Sequence, residues 1–325
     1  MTDHAISGIG ETAEKITNME IRGAGKIGRA ASSALADLAR KWKGDDREEF
    51  ISAIRKGAKE LQLTRPSAIS LRNSILLTLK GCEKGESVDE IRDILVKQSE
   101  DFTRSSLEAV QRIAEIGMKR IPAGSVVLTH CNSNAALSVI EKAYGDGRVD
   151  GVICTESRPW RQGHITSRRL AGKGIPVTMI VDSAVRYFIR DVDVVCVGAD
   201  TVAANGAVIN KIGTSQVALA SHEHRIPFLV CAETLKFSRE TLLGSLVKIE
   251  ERGADEVADP LKAEDFPGVT FRNPVFDATP PEYIDAIVTE VGVVSPYLAT
   301  EIIRDMFPGA GTLSSKEREI EFKWV

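Results

Sequence analysis

Two stretches of this chain place a reactive side chain where a strand gives way to a loop. A short β-rich run ends in Thr129-His130-Cys131-Asn132-Ser133-Asn134. A helix is expected to begin near Ser133, which sets Cys131 beside backbone amides and the positive end of a helix dipole. Both lower a thiol's pKa, and a thiolate there is a nucleophile or a base. The alternative is a cysteine buried for packing alone. A second run ends in Val197-Gly198-Ala199-Asp200. The glycine permits close approach, and an acid at the carboxyl end of a strand suits proton transfer. An Asx turn would use the same aspartate only to order the loop.

Around these lie groups that could hold phosphate. Ser133, with the amides of Asn134 and Ala135, would open a helix and face an anion. Asn210-Lys211-Ile212-Gly213-Thr214 precedes a second expected helix, residues 215–222, and resembles a phosphate cradle without being a Walker motif. A solvated loop lysine is the plainer reading of Lys211. Arg65 stands before Pro66 at the start of a helix, and Lys236 comes soon after a strand end. Together these cations suffice for two separate phosphates.

Two tempting motifs fail. Gly23-Ala24-Gly25-Lys26-Ile27-Gly28 spells GxGxxG, but the residues before it read as helical and no βαβ unit encloses it. It reads better as a glycine turn between helices, whose amides, with Arg22, could receive an anion. His222-Glu223-His224 has no third ligand at a metal-binding spacing. No metal and no redox cofactor is expected.

The chain has 325 residues, enough for about two domains. It is 43% hydrophobic and 27% charged with a formal charge of −4, which excludes a disordered chain and a general nucleic-acid coat. No apolar run suits a membrane span. The N-terminus is polar, and Cys82, Cys131, Cys154, Cys196 and Cys231 form no CxxC pair, so a reducing cytoplasm with free thiols is expected. Cys154, Cys196 and Cys231 fall within strands and read as core.

The first 121 residues read as helices, at 5–20, 28–43 and 47–63, then a long one after Ser87 with a stripe of Ile91, Leu95, Phe102, Leu107, Val110 and Ile113. Pro122-Ala123-Gly124 ends it, and the domain boundary is placed there. Short apolar strands then alternate with amphipathic stretches, at 125–129, 152–154, 177–181, 192–197, 228–231 and 286–289, the pattern of βαβ units around a parallel sheet. Asn205-Gly206 signals a type I′ hairpin. Residues 158–163 read as a loop lining the cleft, and 273–282, with three prolines, as another loop. The tail from Pro308 is polar.

Taken in order, Ile21-Arg22-Gly23-Ala24-Gly25, Thr64-Arg65-Pro66-Ser67-Ala68, Thr129-His130-Cys131, Gly198-Ala199-Asp200, Asn205-Gly206, Asn210-Lys211-Ile212-Gly213-Thr214 and Ala232-Glu233-Thr234 are recognisable. Their order and spacing resemble the ribose 1,5-bisphosphate isomerase family, over nearly the whole chain. That family belongs to a wider group with methylthioribose-1-phosphate isomerase and the regulatory subunits of translation initiation factor 2B. The resemblance implies an N-terminal helical domain, 1–121, and a Rossmann-like α/β domain, 122–325, with a mostly parallel sheet. It implies conversion of α-D-ribose 1,5-bisphosphate to D-ribulose 1,5-bisphosphate in nucleoside monophosphate degradation, with a RuBisCO consuming the product.

The same resemblance makes Cys131 the base and Asp200 the acid. It puts substrate contacts on Arg22, Gly23, Ala24, Gly25, Arg65, Ser133, Asn134, Ala135, Asn210, Lys211 and Lys236. It further implies an adenosine monophosphate activator and a homo-oligomer, a dimer or hexamer. From the charge balance and the lack of a long apolar run, no nucleic-acid or membrane partner is expected. The Cys/Asp pair sets the chain apart from the initiation-factor subunits. Gly25 and Ser133 set it apart from methylthioribose-1-phosphate isomerase, which carries Arg-Gly-Ala-Pro and His-Cys-Asn-Ala. One departure stands out: the family's His-Cys-His-Ser-Lys reads here His130-Cys131-Asn132-Ser133-Asn134.

Overall fold

The computed structural model describes residues 3–18, 20–21, 23–65, 68–243 and 246–306. Arg22, Pro66 and the tail from Pro308 therefore lie outside the described residues. The chain divides into two compact units, one reaching to Glu108 and one beginning at Ala109.

The first unit is helical: α1 Asp3–Thr17, α2 Ala24–Lys41, α3 Arg47–Leu63, α4 Ile69–Leu79 and most of α5 Val88–Gly117. The Asp46 side chain accepts from the Glu49 amide at 2.9 Å and fixes where α3 starts. Gly23 links α1 to α2 at φ 87°, a conformation that favours glycine. This is the helix–helix turn expected there, with a helix and no strand before it. Leu35, Leu38, Phe50, Ile54, Leu61, Leu71 and Ile75 fill the core. Where α2 meets α4 and α5, the buried Ser32 hydroxyl satisfies two others, Thr78 at 2.6 Å and Ser99 at 3.1 Å.

The long α5 runs as expected, but its stripe shifts. Ile91, Leu95, Phe102 and Ile113 are buried, while Leu107 is 58% exposed. Ser106 and Ala109 occupy the inner face instead, because they continue the helical repeat from Phe102 and Leu107 falls one residue off it. The helix also serves both units. Ile113 belongs to the core around the sheet, and a Cβ added at Gly117 would come within 2.6 Å of Val139. Packing therefore changes at Ala109, while the sequence pattern changes at Pro122.

Among the described residues, the second unit holds ten strands: β1 Ser125–Thr129, β2 Val149–Thr155, β3 Val177–Ile180, β4 Val194–Gly198, β5 Thr201–Val202, β6 Val208–Lys211, β7 Phe228–Cys231, β8 Phe276–Thr279, β9 Ala286–Thr289 and β10 Gly292–Val294. Its helices are α6 Asn134–Gly145, α7 Gly163–Ala171, α8 Val185–Phe188, α9 Thr214–His224, α10 Asp255–Ala258 and α11 Ala299–Met306. Seven strands form one sheet in the order β10-β9-β7-β4-β1-β2-β3, parallel except for β10. Val127, Leu137, Val152, Val194, Cys196, Leu229, Cys231 and Val288 pack its core. The chain leaves β1 toward β2 and β3, then crosses back to β4, β7 and β9. The switch point of this doubly wound sheet thus lies between β1 and β4, and ligands gather at the carboxyl ends of strands there.

A second, antiparallel sheet of β5, β6 and β8 stands apart in pairing from the first. It corrects two expectations. Residues 273–282 are not all loop: β8 sits within them, and its prolines only bound the strand. The hairpin between β5 and β6 is not type I′. Gly206 alone has positive φ (85°), and its amide bonds the Ala203 carbonyl at 2.9 Å. A turn followed by a glycine bulge accounts for both facts. No described helix is long and apolar enough to cross a membrane.

Candidate active site

The carboxyl ends of β1 and β4, neighbours at the switch point, deliver Cys131 and Asp200. Gly198 makes this crowding possible. A Cβ there would meet the Ser133 Oγ at 2.3 Å, so only glycine lets the end of β4 pass against the start of α6. Ser133 caps α6, its Oγ accepting from the Ala136 amide at 3.4 Å. The amides of Asn134 and Ala135 then open the helix, as an anion site requires. The Asn134 side chain itself is taken up by Arg169, at 2.7 Å.

Cys131 is half-buried and in the left-handed region at φ 67°. Its thiol corrects the expected direction. Burial pushes it up to about 11, and the Lys211 charge only partly opposes this. Neither Lys211 nor the Asn132 amide outweighs the loss of water around the sulfur. Lys211 is no solvated lysine either. It is buried at the end of β6, 5.3 Å over the Phe276 ring, and burial lowers its pKa. Asp200 and Lys211 both act on the Cys131 thiol, and Cys131 and Asp200 both act on Lys211, so the structure groups these three in one electrostatic site. Lys236 joins from the loop after β7, its Nζ donating to the Ala199 carbonyl next to Asp200.

The cradle at α9 is already filled by the protein. Asp277, on β8, accepts from the Gly213 amide at 2.8 Å and from the Ser215 hydroxyl at 2.8 Å. An internal carboxylate therefore occupies the helix start where a phosphate was expected, and burial raises its pKa. Asn210 donates to the Thr214 hydroxyl at 3.0 Å and orders the same turn. Gly23, Ala24, Gly25 and Arg65 belong to the helical unit.

Several site residues escape sequence reading. Thr155 ends β2, and Ser157 follows it. Asp182, just after β3, accepts from the Ser157 amide at 2.8 Å and the Arg158 amide at 2.7 Å. The strand-end rule that found Cys131 and Asp200 would have found Thr155 and Asp182 as well. Nothing local marks Asp277, whose partners lie sixty-odd residues earlier. Residues 158–163 tie to the segment around α10: Arg161 reaches Asp259 at 2.9 Å, and Trp160 lies 4.4 Å beneath Arg252. His222 stacks near Tyr283 at 4.8 Å, and no metal-binding cluster occurs among the described residues. Cys196 and Cys231 are buried with their sulfurs 3.5 Å apart, the packing role expected of them.

Comparison with known proteins agrees with this fold. The chain is 48% identical over 299 residues to the ribose 1,5-bisphosphate isomerase of Methanocaldococcus jannaschii, covering 92% of this chain and 95% of that protein. To the enzyme of the same name from Archaeoglobus fulgidus it is 52% identical over 303 residues, covering 93% and 94%. The crystal structure of 5-methylthioribose 1-phosphate isomerase from Pyrococcus horikoshii OT3 superposes with a TM-score of 0.76 at 32% identity, covering 92% of this chain and 87% of that one. The sequence pattern of the initiation factor 2 subunit family matches residues 20–296, and the chain belongs to that family.

Proposed function

We propose that this protein isomerises α-D-ribose 1,5-bisphosphate to D-ribulose 1,5-bisphosphate. The observation that carries the reading is identity of about one half, over nearly full length, to proteins named for that reaction. The meeting of Cys131 and Asp200 at the switch point supports it. Asp200 would donate its proton to the ring oxygen as the bond from C1 to that oxygen breaks. Cys131 would take the proton from C2, leaving an enol with phosphate still on C1 and a hydroxyl on C2. The hydroxyl proton would return to Asp200 and the Cys131 proton would go to C1. Both residues are then restored, and the product is the ketose. Conversion needs no net oxidant and no other reactant.

Lys211 beside the thiol would favour its ionisation against the cost of burial. Phosphates would be held by the first amides of α6 with Ser133, by Lys211 with Asn210, by Lys236, and by Arg22 to Gly25 with Arg65. Activation by adenosine monophosphate, assembly as a homo-oligomer and a place in nucleoside monophosphate breakdown belong to the same reading, on the strength of the family likeness. Phosphorus NMR of the protein with substrate, with and without adenosine monophosphate, tests it. Ribulose 1,5-bisphosphate should accumulate. Turnover of methylthioribose 1-phosphate instead would transfer the chain to the isomerase of that name. Binding without turnover of either would make it a sensor.

A further inference from the structure

His130 adjoins the proposed base, yet the mechanism above gives it no task. It is 1% exposed, and both ring nitrogens have partners. Nε2 lies 2.9 Å from the Ile212 carbonyl, which can only accept, so Nε2 carries the hydrogen. The neutral ring then has a bare Nδ1, which must accept from the Thr155 hydroxyl at 2.6 Å. With its proton committed, the Thr155 oxygen accepts from the Ser157 hydroxyl at 3.2 Å. Ser157 in turn accepts the Cys131 amide at 2.8 Å. All the donors therefore point one way along a buried chain, from the Cys131 backbone to the Ile212 carbonyl. Thr166 holds the other end of the same residue, its hydroxyl donating to the Cys131 carbonyl at 2.7 Å.

The chain ends where the backbone is least at ease. Cys131 and Ser157 are both non-glycine residues at positive φ, 67° and 60°. Such a conformation persists only when its surroundings over-determine it, and it is common where a side chain must be aimed. We propose that the neutral His130 ring, through Thr155 and Ser157, is a positioning device that holds the Cys131 backbone in its left-handed conformation and so aims the thiol at its proton. The inference rests on the reading of Cys131 as the base. Its direction depends on one tautomer of one ring. A proton added at Nδ1 would make that atom a donor and turn the Thr155 hydroxyl around.

The groups that face the ring pull in both directions. The Asp182 carboxylate lies 3.9 Å from Nδ1 and favours the extra proton, as does the Asp277 carboxylate. Lys211 opposes it, and burial opposes it most, so the ring stays neutral.

The experiment uses Thr155→Val, Ser157→Ala and the double variant in the full-length protein, with Thr155→Ser as the conservative control. If the three groups act as one chain, each single variant lowers kcat by about tenfold or more at nearly unchanged KM, since the base is misaimed while the phosphate contacts stay. The double variant should lose no more than the worse single one, and Thr155→Ser should restore most of the rate. Additive losses, or a rise in KM without a fall in kcat, would overturn the proposal.

A second readout does not need the substrate. Among the five cysteines Cys131 alone is not buried, so iodoacetamide labels it first. Ser157→Ala should change its labelling rate while Tm stays close to that of the parent. An unchanged rate would also overturn the proposal. Failure of the parent protein to turn over ribose 1,5-bisphosphate would instead strike at the proposed function, and labelling would still decide whether the chain aims the thiol.

Discussion

Cys131 keeps its proton at neutral pH, because burial pushes the thiol up to about 11 against the pull of Lys211. The fraction ionised therefore rises about tenfold for each pH unit below that value. Alkylation of Cys131 by iodoacetamide should climb steadily from neutral pH and level off only near about 11. Lys211→Met removes the charge that lowers the thiol's pKa, so labelling at any fixed pH below that plateau should slow. An early plateau, or faster labelling in the variant, would show a thiolate stabilised by something other than Lys211. The identities of Cys131 and Asp200 as candidates were legible in sequence, since each follows a recognisable strand. The direction of the thiol's shift was not. Proximity to a helix start is local, but desolvation is set by everything that folds over the sulfur.

At the scale of elements, the site depends on how closely β4 passes the start of α6. Gly198→Ala would push a methyl group into Ser133, at 2.3 Å from its Oγ, and neither the strand nor the helix cap can move freely. The variant should lose about 1–3 kcal/mol of stability in urea unfolding and most of any isomerase activity. Retention of both would mean that α6 slides without consequence. Strand ends and helices with strong periodicity were legible: β1, β7, β9 and α3 lie where the pattern puts them. The small antiparallel sheet was not. Phe276-Asp277-Ala278-Thr279 has no apolar run, and its inward aspartate serves α9 rather than the core. Leu107 was misplaced for the opposite reason, because its hydrophobic side chain outvoted a helical repeat that Ser106 and Ala109 continue.

Across the whole molecule, buried thiols couple folding to alkaline pH in both units. Cys82 in the helical unit and Cys154 in the sheet are pushed by burial from 9.0 up to about 12. Above 9.0 the unfolded thiols give up protons that the folded ones keep, so the folded state binds more protons and its stability falls as pH rises. That contribution is intact below 9.0 and is lost progressively toward about 12. Tm measured across this range should decline, and Cys82→Ala should flatten the decline for the helical unit. An unchanged slope would mean that Cys82 does not titrate on unfolding. The family likeness and the doubly wound topology meet at one claim, that Cys131 and Asp200 together move the protons of a sugar bisphosphate. Phosphorus NMR of α-D-ribose 1,5-bisphosphate with the parent protein, Cys131→Ser and Asp200→Asn tests it most directly. The account predicts ribulose 1,5-bisphosphate with the parent and none with either variant, all three remaining folded. Conversion by a variant, or none by the parent with or without adenosine monophosphate, would contradict it.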